Sequence, residues 1–340
     1  MTFLSLTLSS SKQRWSLLCM ALVLLSLAFM LNLAFGQYSM PISSVWQVFW
    51  AYDPQSIDHI IITTTRLSRA LVAVSVGASL AIAGVLMQAL TRNSLASPAI
   101  FGVNAGAVFL IVLFSTFFLV SSLTTFVWLA FIGAGLAGAL VYCLGCLGRD
   151  GLSPIRIVLA GAAISALFMA FTQGILVIGQ EGLDSVLFWI AGSVSGRDLA
   201  IVLPVLPYLV IAIAMSFLLA GHINILLSGD DIAKGLGQNT VVLKICLSIL
   251  IIALAGGSVA LAGNIGFIGL IVPHMVRSLV GNDHKWLIPL SAILGALLLL
   301  LSDLVSRFII MPEEVPIGVV TALLGTPFFI YLARRGEKHA

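Results

Sequence analysis

The sequence predicts an all-α integral membrane protein of about ten transmembrane helices, with both termini in the cytoplasm. Three observations predict it. Of 340 residues, 60% are hydrophobic and only 9% charged, against about 25% charged in a typical soluble protein. Apolar runs bounded by Gly, Pro or charge recur at the length a bilayer requires, about 20 residues each. Lys and Arg then divide twelve against four between the two sides those runs define. Basic residues favour the cytoplasm, so the richer side, which holds both termini, is inside.

The first run, "SLLCMALVLLSLAFMLNLAF", follows Lys12 and Arg14. It exceeds the roughly 7–15 apolar residues of a cleaved signal core and reads as a retained first helix. The whole chain, 1–340, reads as one membrane domain, with spans expected over 15–35, 65–91, 101–120, 124–147, 153–178, 199–220, 241–262, 266–281, 287–308 and 316–333. The eighth span is short and carries Pro273, which is expected to kink it or end it early. Stretches such as "GAGLAGAL" and "AGGSVALAGNIGFIG", and the G-x-x-x-G of Gly102 and Gly106, let helix backbones approach closely.

Four arginines break the charge rule by lying outside: Arg66, Arg69, Arg197 and Arg307. Arg66 and Arg69, three apart, share one helical face. A single such arginine is explained as an interfacial anchor with its stem buried and its head among the headgroups. For Arg307, Asp303 four residues earlier is an available structural partner. The sharper reading has Arg66, Arg69 and Arg307 presenting exposed positive charge to an acidic soluble partner. Such charge orients and speeds encounter more than it adds affinity.

On the inner side, the longest segment between spans is "LLSGDDIAKGLGQN". Ser228 and Asp231 have S-x-x-D spacing, a capping-box variant expected to start a helix. Asp230 and Asp231 suit its N-terminus. Ile232 and Leu236 share a face, and Gly235 and Gly237 are expected to stop it. The segment reads either as a connector or as a peg for a cytoplasmic partner. The loop "TRNSLASPAIFG" places Asn93 and Ser94 at the membrane boundary. They read as an ordinary polar turn or as the lining of a water-accessible constriction.

Several chemistries find no residues here. There is no G-x-x-x-x-G-K-[ST], H-E-x-x-H or G-x-S-x-G pattern, so no P-loop, zincin or hydrolase nucleophile is expected. The five histidines are scattered, without metal-ligand spacing. The C-x-x-C of Cys143 and Cys146 closes an apolar run with no second pair and reads as packing. An ion-coupled carrier usually keeps a buried carboxylate in its spans; Asp303 is the sole candidate, towards an outer end.

Taken together, "RLSRALVAVSVGASLAIAGVLMQALTRNSLASPAIFGVNAGA", "NIGFIGLIVPHMVR", "LSDLVSR" and "VPIGVVTALLGTPFFIYL" resemble, in order, the permeases of ABC importers for iron chelates, haem and vitamin B12. The resemblance covers about 55–338. It implies ten helices per subunit and a second permease subunit, identical or related, enclosing one pathway in the lipid. It also implies two cytoplasmic ATPase subunits carrying ATP and Mg, a soluble binding protein outside, and no nucleic acid. This chain would bind no cofactor or metal and catalyse no covalent step. Arg66, Arg69 and Arg307 match the arginines that meet glutamates of the binding protein. The segment Ser228, Gly229, Asp230, Asp231, Ile232, Ala233, Leu236 and Gly237, within 226–237, matches the coupling helices on the ATPase. Asn93, Ser94 and Leu95 match the inner gate loop, although the family often has N-P-L-A where this chain has "NSLA". Arg197 is not carried over. The implied cargo is a ferric siderophore or other ferric chelate, then haem, then cobalamin. The rival classes are an ion-coupled secondary carrier and a structural scaffold.

Overall fold

The computed structural model describes residues 10–336, apart from 39, 119, 121, 148–152 and 179–188. Arg149 and Lys338 of the charge tally, and residue 119 of the third expected span, lie outside the described residues. In chain order the helices are α1 (Ser11–Ala34), α2 (Ile42–Trp50), α3 (Ile57–Ile61), α4 (Leu67–Thr91), α5 (Val103–Phe117), α6 (Leu123–Gly145) and α7 (Pro154–Ile178). They continue with α8 (Leu199–Val202), α9 (Leu206–Leu218), α10 (Ala220–Leu227), α11 (Asp230–Gly235), α12 (Thr240–Ala262), α13 (Ile268–Val280), α14 (His284–Ser306) and α15 (Ile317–Gly336). Six helical stretches are long and apolar enough to span a bilayer, the one ending in α4 beginning at Ile57. The pair α9–α10, bent by 51°, forms a seventh, and α5, α13 and α15 are shorter apolar helices. Together these make ten apolar segments among the described residues.

At the centre stands α4. It packs against α14, α12, α13 and α9 and is buried almost throughout. Two contacts show why glycine is required on it. A Cβ on Gly77 would lie 2.4 Å from the Gly295 carbonyl oxygen of α14, and one on Gly84 would lie 1.9 Å from that of Gly269 in α13. Backbone therefore rests directly on backbone, the close approach that small residues permit between membrane helices.

Four local features differ from the sequence expectation. The second span is preceded by α3 and by a π-helical turn, Ile62–Arg66, so the helical stretch starts well before residue 65. The sixth expected span is three pieces, α8, α9 and α10, and Pro204 and Pro207 sit at its first break, where each removes a backbone donor. Pro273 does not end the eighth span, because α13 runs on to Val280. The Gly269 carbonyl, four residues before Pro273, instead faces the Gln88 amide at 3.5 Å, the kind of neighbouring donor that lets proline persist in a membrane helix. Finally, α2 is too short to span. It buries Val45 and Val48 and leaves Ile42, Trp46, Phe49 and Trp50 exposed, the aromatic-rich pattern of an interfacial helix.

Capping fixes the inner ends. The Asn239 side chain accepts the Val242 amide at the start of α12, and Asp283 accepts the Lys285 amide at the start of α14. Arg92 ends α4 in the left-handed region at φ 50°, an uncommon conformation for a side-chain-bearing residue. Trp15 of α1 meets Trp286 of α14 edge to face with ring centroids 5.2 Å apart, so the start of α1 lies beside the start of α14.

Candidate functional site

The expected exposure of the outer arginines is overturned. Arg66, Arg69 and Arg307 are 5%, 7% and 3% exposed. The physical reason is the end of α1. A helix leaves its last carbonyls without intrahelical donors, and its dipole there favours a cation. Arg66 Nη1 donates to the carbonyls of Leu33 at 2.7 Å and Ala34 at 2.6 Å, and its Nη2 to that of Tyr38. Arg307 Nη1 donates to the carbonyls of Asn32 at 2.9 Å and Phe35 at 2.8 Å. Two residues far along the chain thus cap the first helix.

Asp303 holds this cluster together. Its side chain is fully buried. Its Oδ1 accepts from Arg69 Nε at 2.7 Å, and its Oδ2 accepts from Arg307 Nη2 at 2.5 Å and from Asn32 Nδ2 at 2.8 Å. The Asp303–Arg307 pair anticipated from spacing is therefore real, and Arg69 shares its carboxylate. Arg69 Nη1 also donates to Glu314 Oε2 at 2.6 Å. Burial makes the two pairs to Asp303 obligatory, since an unpaired charge at low dielectric is very costly. Arg69 lines a cavity of about 290 Å³, with Gln37, Ser195, Pro312, Glu313 and Glu314 around it. Arg197 is also buried; its guanidinium lies 4.5 Å from the Trp189 ring centroid and its Nε donates to the Leu261 carbonyl.

At the other face, the 91–102 loop and the 226–237 segment meet. Asn93 Oδ1 accepts the Leu95 amide at 2.9 Å, a local turn of the kind Asn favours. Asn93, Ser94 and Leu95 are all exposed. Arg92 Nη2 donates to Asp230 Oδ1 at 2.5 Å and to the Leu226 carbonyl at 3.2 Å, and Lys244 Nζ reaches Asp230 Oδ2 at 2.5 Å. Asp230 therefore ties α11 to the end of α4 and to α12. Burial alone would raise the Asp230 carboxyl, but Lys244 and Arg92 outweigh it and hold it below the usual carboxylate range.

The expected capping box is absent. The N-cap of α11 is Gly229 at φ 120°, with no side-chain cap from Ser228. Glycine takes that conformation without a Cβ penalty, so the start is set by backbone geometry rather than by a hydroxyl. Gly237, at φ 81°, follows the helix end. Ala233 is buried, whereas Ile232 and Leu236 are 56% and 68% exposed. Between loop and segment lies a cavity of about 650 Å³ whose walls include Gln88, Arg92, Ser94, Ser228, Arg277 and His284.

Sequence reasoning missed the partners rather than the arginines. Asn32, Glu314, Arg92 and Lys244 each carry part of one cluster or the other. The available signal was polarity out of place, such as Asn32 inside an apolar run. Among the described residues, no group of three or more His, Cys, Asp or Glu is placed to hold a metal. The cysteines are free.

Ten apolar segments among the described residues, packed about the glycine-seated α4 that is one of them, with charged clusters at the two ends, define a multi-pass membrane transport permease. The FecCD transport family model matches residues 24–335, and the chain belongs to that family. It is 48% identical over 328 residues to a probable siderophore transport system permease of Bacillus subtilis, covering 96% of this chain and 98% of that one. It is 43% identical over 328 residues to the Fe(3+)-citrate import system permease YfmD of the same organism, covering 96% and 97%. It is 40% identical over 317 residues to the ferric enterobactin transport system permease FepD of Escherichia coli, covering 93% and 94%. A solved metal-chelate type ABC transporter in an inward-facing conformation superposes with a TM-score of 0.83 at 30% identity, covering 94% of this chain and 99% of that one. The protein is thus a multi-pass protein of the bacterial inner membrane.

Proposed function

We propose that this chain is the membrane-spanning permease of an ATP-driven importer that takes up a ferric chelate delivered by a soluble binding protein. ATP would be hydrolysed on separate cytoplasmic subunits, and a second permease would complete the pathway. The observation that carries the reading is α11. It is a short helix outside the spans, it offers the apolar pair Ile232 and Leu236 to solvent, and Asp230 ties it to α4 and α12. An exposed apolar patch braced against two spans suits a helix that a moving partner pushes. The gate loop adjoins the same brace through Arg92, so one displacement of α11 would reach both.

Outside, Arg69 is the docking residue best placed for a partner's carboxylate, because its guanidinium lines the outer cavity. Arg66 and Arg307 would act behind it by fixing the end of α1. The cargo reading rests on the iron-chelate names of the relatives. An ion-coupled carrier is disfavoured by Asp303, whose carboxylate is committed to Arg69 and Arg307.

The test is Ile232→Pro in the assembled complex, with binding-protein-stimulated ATP hydrolysis as the readout. Loss of stimulation, with the permease still inserted and monodisperse, is the expected result. Full stimulation would reduce the segment to a connector.

A further inference from the structure

We propose that Asn104 and Asn264 form a water-facing polar station on the transport pathway that donates to the oxygen-rich periphery of a carboxylate or hydroxamate chelate as it passes. This rests on the import reading above and adds a cargo contact to it.

The first observation is depth. Gly84 precedes the inner end of α4, at Thr91, by seven residues, about 10 Å at the helical rise. Gly84 abuts Gly269, so the non-helical link 263–267 between α12 and α13 enters within a hydrocarbon layer about 30 Å thick. A second chain break arrives there, because a Cβ on Gly269 would lie 2.9 Å from Pro98 Cδ in the turn before α5. Irregular backbone at membrane depth persists only where it is buried in protein or lines a water-filled cavity.

The second observation is that Asn264 is not buried. It is exposed, and Asn104 is partly so. Asn104 Nδ2 donates to Asn264 Oδ1 at 2.5 Å. That single bond leaves the Asn264 side-chain Nδ2 donors with no protein acceptor among the described residues. Two cavities, of about 310 and 620 Å³, share Asn264 and Ile190 as a common wall. The smaller adds Ser165, Thr172 and Gln173, and the larger adds Thr326. A free carboxamide facing hydrocarbon would be costly, whereas one facing water and passing acceptor oxygens is satisfied.

The third observation is that the link is held still. The Asn264 backbone N–H donates to the Trp189 carbonyl at 3.0 Å, and the Ser193 backbone N–H donates to that of Ala262 at 2.8 Å. A Cβ on Gly192 would lie 2.5 Å from the Asn264 carbonyl oxygen, and Phe267 sits at φ 68°. A left-handed phenylalanine persists only where its surroundings enforce it. Donors fixed in this way are pre-organised for a ligand.

The test uses the reconstituted complex of permease, ATPase and binding protein. In one arm, Asn264→Cys is treated with a membrane-impermeant cationic thiosulfonate. Modification at least ten-fold faster than in the wild type is expected; a rate equal to the wild type would overturn the placement. In the other arm, uptake of iron-labelled ferric citrate or a ferric trihydroxamate, whichever the wild type carries, is compared between Asn264→Ser and Asn264→Leu. The leucine variant should be at least ten-fold slower, and equal rates would overturn the cargo contact. If both Asn264→Cys and Asn264→Leu lose the second permease subunit on size exclusion, Asn264 is an assembly contact and the proposal falls. A wild type that carries neither chelate would sink the cargo reading of the previous section, while the labelling arm would still decide the placement.

Discussion

Asp303→Asn keeps the shape of the buried carboxylate and removes its charge. In the native cluster that carboxylate lies 2.7 Å from Arg69 Nε and 2.5 Å from Arg307 Nη2. After the change, Glu314 remains as the one carboxylate against Arg69, and Arg307 retains only the carbonyls and Asn32. Removing one partner of a buried pair costs about 3–5 kcal/mol. Glu314 still compensates Arg69, so that range is taken once rather than twice. At about 2 °C per kcal/mol for a chain of this size, melting should fall by roughly 6–10 °C. The assay is thermal unfolding of the detergent-purified permease followed by tryptophan fluorescence, with Glu314→Gln alongside. The Glu314 side chain is 29% exposed, and solvent-screened pairs are worth about 0–1 kcal/mol, so that variant should move melting by under about 2 °C. An Asp303→Asn protein melting within 2 °C of the wild type, or equal losses in both variants, would refute the reasoning that burial makes Asp303 the keystone.

Two further outcomes follow from other parts of the molecule. Gly84→Ala places a Cβ 1.9 Å from the Gly269 carbonyl oxygen; α4 and α13 must separate, and overpacking of this kind costs about 1–3 kcal/mol or more. The variant should yield less monodisperse protein on size exclusion, whereas Gly174→Ala, with nothing within 4 Å, should not. Asp230 titrates below the usual carboxylate range, so its contribution is present above about pH 3.9 and is lost as pH falls through a still lower value. Retention of the ATPase by the wild type and by Asp230→Asn should therefore differ by a constant amount from pH 8 to pH 5. A difference that closes across that window would show that Asp230 is not held by Arg92 and Lys244.

Hydropathy exposed the segments readily, because a bilayer forces long apolar runs whatever the fold. The breaks were harder. Pro204 and Pro207 were visible in the sequence, but the bend between α9 and α10 depends on packing. The interfacial helix α2 is too short to register by the length rule. The outer arginines were recognised as anomalous, yet their destination was not legible: Arg69 and Asp303 are 234 residues apart, and Arg307 and Asn32 are 275 apart. Local spacing revealed Asp303–Arg307 because those two share one helix. For the same reason the Asn104–Asn264 bond, across 160 residues, left no local trace. Ser228 misled because its spacing satisfied a capping pattern that Gly229 fulfils through the backbone instead.

One consequence belongs to α4. It is an unbroken helix of 25 residues, about 37 Å long. Near one end, Arg69 grips the outer ion cluster; just past the other, Arg92 grips α11. Because glycine seats it directly on the backbones of α13 and α14, it has little slack in which to flex. A lean imposed at either extremity would therefore be passed to the opposite one, much as a rocker shaft carries torque between two cams.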